Sequence, residues 1–492
     1  MTGMRDHLDR LRETDDVVDV TERVHWDGEA EAVAAEATRH DCPVVRFAET
    51  PGLAQLASGV YGGPDQFSTG NKEPWSRIDL ALGEPSDRSY VDMLDQLVRW
   101  GPAPIDEQMV AEPEATVRDG IDLYDLGLPM TRDGVPLVSL GVLAVEVDDT
   151  TTWVPIAGRG RRSTELKLSV PRAFAEWCPR EADASVLLGV PVAMLLAALQ
   201  GWTQGQPTPD VPALAAGLSD DPLSTVDGRT IPADAEVRID GELTVADHRD
   251  GDSRDVDGER NRPATADDPT SAATGRGAAW ETGCETATVT VETTAIAARE
   301  SPTIPFSPSG EALADDIHLA CLAEAAKLFR RVNNYWGVSP VRWIQIPVEG
   351  RLGLCIVSSE ILYAGFEWQL ANTLFSFSDL FDKVLIVDEQ VEPTDLARAL
   401  DDMWVKAHPA NDWVFSESNA PSAAAPAYRD DDSGSRLYIN ATWDPRWDEE
   451  YIAPRVTMET AFSENVLASL ADRWDEFGLD DAIRPDRFDD DE

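Results

Sequence analysis

The sequence predicts an α/β (α+β) chain of several units, and three observations carry that expectation. Near the N-terminus a helical pattern is followed by two short apolar strands, the usual opening of an α/β unit. The middle is richer in alternating runs bounded by turn residues, which is a strand signal. Towards the C-terminus the apolar run KVLIV leads through Asp388-Glu389 into a helical pattern, as in a buried parallel strand. At 492 residues, 42% of them hydrophobic, the chain exceeds one ordinary core and can bury two or three.

Taken in order, residues 4–18 read as an amphipathic helix and 28–40 as an Ala/Glu-rich one. PVVRFAE (43–49) and the start of GLAQLASGVYGGPDQF (52–67) read as strands, with Gly62-Gly63-Pro64 as a tight turn. A helix is expected over 88–100 and a proline-rich link ends near 115. PLVSLGVLAVEV is a strand, and 186–199 reads as buried strand, loop and helix. Next to the first of these lies GRGRRSTELKL (158–168), a basic stretch. Arg159, Arg161, Arg162 and Lys167 are suited to a phosphate or a carboxylate. The same bases would also serve a solvated turn that offsets nearby acids. The stretch is no P-loop, because the GK[ST] ending is missing. Residues 237–247 read as strand, and 248–277 hold almost no large apolar side chain, which predicts a mobile loop or linker.

The stretch 286–331 then reads strand, proline-broken turn, acidic loop and helix. Asp315, Asp316 and His318 gather at the helix N-terminus, where free N–H groups and the dipole favour anions. One reading makes either Asp a helix N-cap; the other makes the group the edge of a pocket. Strands at 341–348, 352–359, 383–391 and 435–443 and helices at 365–375, 393–407 and 459–479 complete the chain. No internal repeat is seen.

Charge narrows the setting. The net charge is −50, from 91 acids and 41 bases, and lysine is confined to Lys72, Lys167, Lys327, Lys383 and Lys406. Acids dispersed over the whole length suit molar salt, where the Debye length shrinks to ~3 Å. The expectation is a cytoplasmic protein of an extreme halophile that binds no nucleic acid. Cys42, Cys178, Cys284, Cys321 and Cys355 form no CxxC pair, so neither a disulfide framework nor a zinc site is expected. The N-terminus MTGMRDHLDRLRETDD has no apolar core of a signal peptide, and no apolar run reaches the ~20 residues of a membrane span.

With these elements placed, the chain resembles the UbiD family of decarboxylases over nearly its whole length. The resemblance is carried by CPVVRFAETPGLAQLASGVYGGPDQF, DLYDLGLPMTRDGVPLVSLGVLAVEVDD, LLGVPVAMLLAAL, IPADAEVRIDGEL, VETTAIAARESPTIPFSPSGEALADDIH, KVLIVDEQVEPTDLARAL and INATW. It is their number, order and spacing that make the match specific. The resemblance implies an N-terminal α/β domain (1–115) and a central split β-barrel of flavin-reductase type (116–317), with 248–277 as an insertion. It further implies a connecting helix (318–335), a C-terminal α/β oligomerisation domain (336–480) and an acidic tail (481–492). It implies prenylated FMN, delivered by a flavin prenyltransferase and bound through Mn²⁺ and K⁺. The reaction implied is reversible loss of CO₂ from an aromatic or α,β-unsaturated carboxylic acid by a Glu-Arg-Glu/Asp trio, in a homo-oligomer or a hetero-complex. Mapped onto this sequence, the catalytic group is Arg159, Glu281, Asp315 and Asp316, and Arg161, Arg162 and Lys167 hold the cofactor.

The departures are as specific as the matches. The family's metal is held by an Asn, a His and a downstream Glu, yet 150–170 (TTTWVPIAGRGRRSTELKLSV) contains neither Asn nor His. The family's Glu-Gly-Pro-Phe-Gly-Glu motif is reduced to Glu281 and Gly283 in GRGAAWETG. No metal site is therefore expected, and Mn²⁺ and K⁺ are in doubt. Three readings remain: a decarboxylase that anchors the flavin phosphate on bases, a non-catalytic subunit of that fold, and an enzyme using ordinary flavin.

Overall fold

The structure is a computed structural model of the chain. It describes residues 3–25, 28–40, 43–63, 74–105, 109–130, 134–203, 210–245, 279–283, 285–308, 313–335, 339–350, 352–378, 380–392, 396–415, 420–421, 433–443 and 462–477. The expected insertion 248–277 and tail 481–492 lie outside these residues.

The chain opens on α1 (Met4–Glu13), which buries Met4, His7, Leu8 and Leu11 at helical spacing. The helix stops short of the expected residue 18. Asp15 takes φ 54°, a left-handed conformation that ends a helix, and Val17–Val20 becomes strand β1. After α2 (Glu29–Arg39), strands β2 (Val44–Phe47) and β3 (Gln55–Ser58) join β1. β1 and β2 are parallel, and β2 and β3 are antiparallel. Helices α3 (Ser76–Leu82) and α4 (Tyr90–Arg99) follow, the second capped by Ser89, which accepts from Asp92 N at 3.2 Å. The fourth strand of this sheet comes from far along the chain. Thr303–Pro305 pairs in parallel with β3 after the chain has built the middle of the molecule.

That middle is a closed antiparallel barrel, as the resemblance implied. Its strands are β5 (Leu137–Val147), β6 (Thr150–Arg162), β7 (Glu165–Pro171), β8 (Glu181–Leu188), β11 (Val237–Val245) and β12 (Thr286–Ala298). Here β4 is the short Thr116–Val117, and β9 (Leu223–Val226) and β10 (Arg229–Pro232) form a separate hairpin. The barrel order is β11-β8-β5-β6-β7-β12, and β12 pairs back onto β11 to close the ring. Closure leaves no free edge. One face of β7 buries Leu166, Leu168 and Val170 with Val289 and Val291 of β12. A largely apolar helix, Val192–Thr203, packs against β6.

The connecting helix Asp315–Tyr335 buries residues around most of its circumference and packs against α4 and the first strand of the C-terminal sheet. That sheet has five strands. Leu354–Ser359, Lys383–Val387 and Leu437–Ala441 are parallel, with Val341–Gln345 and Trp413–Phe415 antiparallel at the edges. Helices Phe366–Phe377 and Leu396–Lys406 provide the crossovers that parallel strands require. Among the described residues no helix is long and apolar enough to cross a membrane.

Candidate active site at the head of the connecting helix

The loop after β3, Gly59–Gly63, and the first turn of the connecting helix lock together. Asp315 is fully buried. Its Oδ2 accepts from Gly59 N at 2.9 Å and Val60 N at 3.1 Å, and its Oδ1 from Tyr61 N at 2.7 Å and Gly62 N at 2.5 Å. The loop carbonyls are held in turn. Arg77 Nη1 donates to Gly59 O at 2.8 Å and also to Gly62 O, while its Nε and Nη2 grip Asp16 at 2.8 and 2.9 Å. His7 Nε2 donates to Val60 O at 2.7 Å. Burial pushes Asp315 up to about 6, against the pull of the loop amides and Arg77, so it remains an anion at neutral pH.

Asp316 faces the barrel side. Its Oδ2 accepts from Ala279 N at 2.8 Å, and its own N–H donates to Ser307 Oγ at 3.0 Å. Desolvation raises its pKa, opposed by the Ala279 amide and the Ser307 hydroxyl. Ala279 opens the 3₁₀ turn Ala279–Gly283, which carries Glu281 and packs on the connecting helix. Asp315 reaches the loop, and Asp316 reaches this turn and the backbone N–H groups at its own helix start.

His318, one turn on, is 5% exposed, and its Nε2 has no partner. Burial, then Arg77, lowers its pKa to about 3, so the ring is neutral. It lines an apolar cleft with Trp75, Met93, Cys321, Gln345 and Val348. A neutral buried ring makes a testable statement about pH. Its folded pKa lies below the unfolded ~6.5, so its contribution is present above pH 6.5 and is lost as pH falls towards 3. Relative to His318→Leu, the native protein is expected to lose about 1.4 kcal/mol per pH unit between pH 6 and 4. Denaturation of both proteins across that range measures it, and parallel stability curves would refute it.

The basic residues lie elsewhere. Arg159 and Lys167 are directly opposite each other on β6 and β7, on the face away from Leu166 and Leu168, and both are exposed. Arg161 and Arg162 point to Glu165, at 3.4 and 3.8 Å. Among the described residues Arg159 and Lys167 have no ion pair, and no bond joins the four bases to Asp315 or Asp316. The structure thus brings Asp315, Asp316 and the turn that carries Glu281 to one corner and leaves the bases on the barrel's outer face.

Among the described residues there is no group of three or more His, Cys, Asp or Glu side chains able to hold a metal ion. In β6 two threonines are already engaged: Thr151 Oγ1 accepts from Thr230 N at 2.9 Å, and Thr152 Oγ1 from Trp202 Nε1 at 3.0 Å. Trp202 continues into an aromatic cluster with Phe174 and Trp177.

The family model for the N-terminal domain of 3-octaprenyl-4-hydroxybenzoate carboxy-lyase, UbiD, matches residues 8–97. The model for its C-terminal domain matches residues 317–441. The chain belongs to the UbiD family. Its fold is that of UbiD-class enzymes of known structure, though the sequences have drifted far apart. The evolved dimeric form of HmfF from Pelotomaculum thermopropionicum, solved with prFMN, shares 18% identity over 95% of this chain and 100% of its own, with TM-score 0.67. Vanillic acid decarboxylase of Sedimentibacter hydroxybenzoicus, in open form, shares 17% over 97% and 99%, with TM-score 0.70. The apo 3,4-dihydroxybenzoic acid decarboxylase AroY of Klebsiella pneumoniae shares 16% over 94% and 99%, with TM-score 0.66. No curated protein matches the sequence. Both matched UbiD segments lie outside the barrel strands, and the head of the connecting helix is where the C-terminal one begins.

Sequence reasoning missed Asp16, His7 and Arg77 as parts of this corner. The available signal was Ser58-Gly59-Val60-Tyr61-Gly62-Gly63, which reads as an ordinary tight turn. At Gly62 an added Cβ would sit 2.8 Å from Leu313 O, which shows how closely the helix head approaches the loop.

Proposed function

We propose that this chain is a UbiD-type decarboxylase of an aromatic or α,β-unsaturated carboxylic acid, with its site at the head of the connecting helix. The observation that supports this reading is that Asp316 ties the turn carrying Glu281 to the head of the helix whose neutral His318 lines an apolar cleft. Asp315 holds the loop, and its four amide bonds leave it no part in proton transfer. Asp316, raised by desolvation, is the proton donor to the carbon that loses CO₂, with Glu281 beside it on the 3₁₀ turn. The apolar walls take the ring or alkene and keep water out.

The cofactor this reading calls for is prenylated FMN, which when bound supplies the electron sink for the reaction. The bases proposed for its phosphate, Arg159 and Lys167, lie on the outer face of the barrel and not at this corner. No step is drawn through Mn²⁺ or K⁺. The acid, a homo-oligomer or a hetero-complex, a prenyltransferase supplier and a cytoplasmic setting belong to the same proposal.

A second reading, a UbiD-fold subunit without catalysis, is favoured by one observation. Thr152 of β6 is bonded to Trp202 of an aromatic cluster instead of facing a ligand set. Cofactor content separates the two. Express the chain in high salt with a flavin prenyltransferase, then record the visible spectrum, the mass of any released flavin and the Mn content. Bound prenylated flavin without stoichiometric Mn is the expected result. A folded protein that never carries flavin would end the enzyme reading.

A further inference from the structure

A chain of hydrogen bonds ties Asp316 to the wall of the barrel. It starts at an irregularity in β5. Val138 pairs with Gly158 of β6, and the next pair is Gly141 with Ile156. Three steps along β5 thus match two along β6, and Ser139 and Leu140 together face the single residue Ala157. A bulge of this kind re-aims the side chains within it. Ser139 Oγ accepts from Ser307 N at 3.0 Å, across 168 residues of sequence.

With its backbone held by the barrel, Ser307 gives its side chain to the helix head. Ser307 Oγ accepts from Asp316 N at 3.0 Å, and Asp316 Oδ2 accepts from Ala279 N at 2.8 Å. Barrel strand, loop, helix head and the turn that carries Glu281 are therefore joined by three bonds in series. Ser307 is buried, at 8% exposure, so bulk water does not stand in for a lost bond. A helix cap needs only an acceptor for the free N–H. Ser307 does more: its hydroxyl also bonds the Asp316 carboxyl, and with the Ala279 amide it opposes the rise that burial causes. A hydroxyl accepts and donates at once, so one side chain holds both the backbone and the carboxyl of the same residue.

We infer that Ser307, aimed by the Ser139 bulge, is a positioning residue that sets the direction of the Asp316 carboxyl without touching substrate. The inference rests on the reading of Asp316 as the proton donor. A donor held from a barrel strand loses little orientation when the helix moves, and orientation is what a proton transfer to carbon demands.

The test uses the full-length, flavin-loaded protein in molar KCl and a panel of aromatic and α,β-unsaturated acids, the acid that the native protein turns over fastest serving as probe. Ser307→Ala should lower kcat about 10–10²-fold, the effect of a misplaced group, and leave KM nearly unchanged. Ser307→Thr keeps the hydroxyl and should recover most of that loss. In an Asp316→Asn background Ser307→Ala should cost nothing further, because it acts only through Asp316. Without flavin, amide exchange of residues 279–283 should quicken in Ser307→Ala, since the carboxyl that holds Ala279 N is freed. Native kcat in Ser307→Ala, or an equal loss in both backgrounds, would make Ser307 a cap alone and leave the donor standing. Full turnover in Asp316→Asn would remove the donor, and this inference with it. Should Ser307→Ala fail to fold, Ser139→Ala, which leaves the Ser307 hydroxyl present but unaimed, decides by the same comparisons.

Discussion

Asp315→Asn is expected to lose much of the protein's stability while changing a single atom of the side chain. The carboxylate accepts from four buried amides, Gly59, Val60, Tyr61 and Gly62. An amide side chain keeps one acceptor oxygen and turns a donor towards the other two N–H groups. Each buried donor left without an acceptor costs about 1–3 kcal/mol. Two such donors facing a third put the loss on the order of 2–6 kcal/mol, against a total that for folded domains is about 5–15 kcal/mol. The consequence is local as well as global. The loop and the connecting helix are 253 to 256 residues apart in sequence, and this contact joins the first sheet to the wall of the cleft. Thermal or chemical denaturation in high salt measures the effect. A variant as stable as the native protein would show that the loop amides find other acceptors.

The same contact explains what the sequence could and could not reveal. Local pattern sufficed where local chemistry decides. The alternation in 286–296 became Thr286–Ala298, and the apolar run at 383 became Lys383–Val387. The terminal helix expected over 459–479 appears as Glu464–Asp472 and a 3₁₀ turn, Trp474–Phe477. Pattern failed where a distant partner decides. Gly158 and Gly160 look like breakers, yet they sit within β6, opposite Leu168 and Leu166 of the next strand. The run of bases around them is therefore not a loop closing on a ligand but one end of two paired strands. Asp315 and Asp316 are adjacent in sequence and look interchangeable. Only the fold separates them, because successive residues at a helix start point in different directions, one towards Gly59–Gly62 and the other towards Ala279.

That separation yields the sharpest functional expectation. Asp316→Asn should fold like the native protein, because the remaining side-chain oxygen still accepts from Ala279 N. On the acid found by a substrate screen of the flavin-loaded protein, it should nevertheless lose about 10²–10⁴ in kcat, the usual weight of a positioned acid. An Asn side chain has no acidic proton to hand to the carbon that CO₂ leaves. Its size and polarity are otherwise those of Asp, so substrate binding and KM should change little. A loss confined to kcat marks an interaction made in the transition state, whereas a merely structural role would disturb KM and stability as well. Glu281→Gln serves as the comparison. If Asp316→Asn keeps full turnover and Glu281→Gln abolishes it, the donor is the residue on the 3₁₀ turn, and Asp316 only orients that turn through Ala279. If both keep full turnover, the head of the connecting helix is not where the proton is delivered, and the proposed site falls with it.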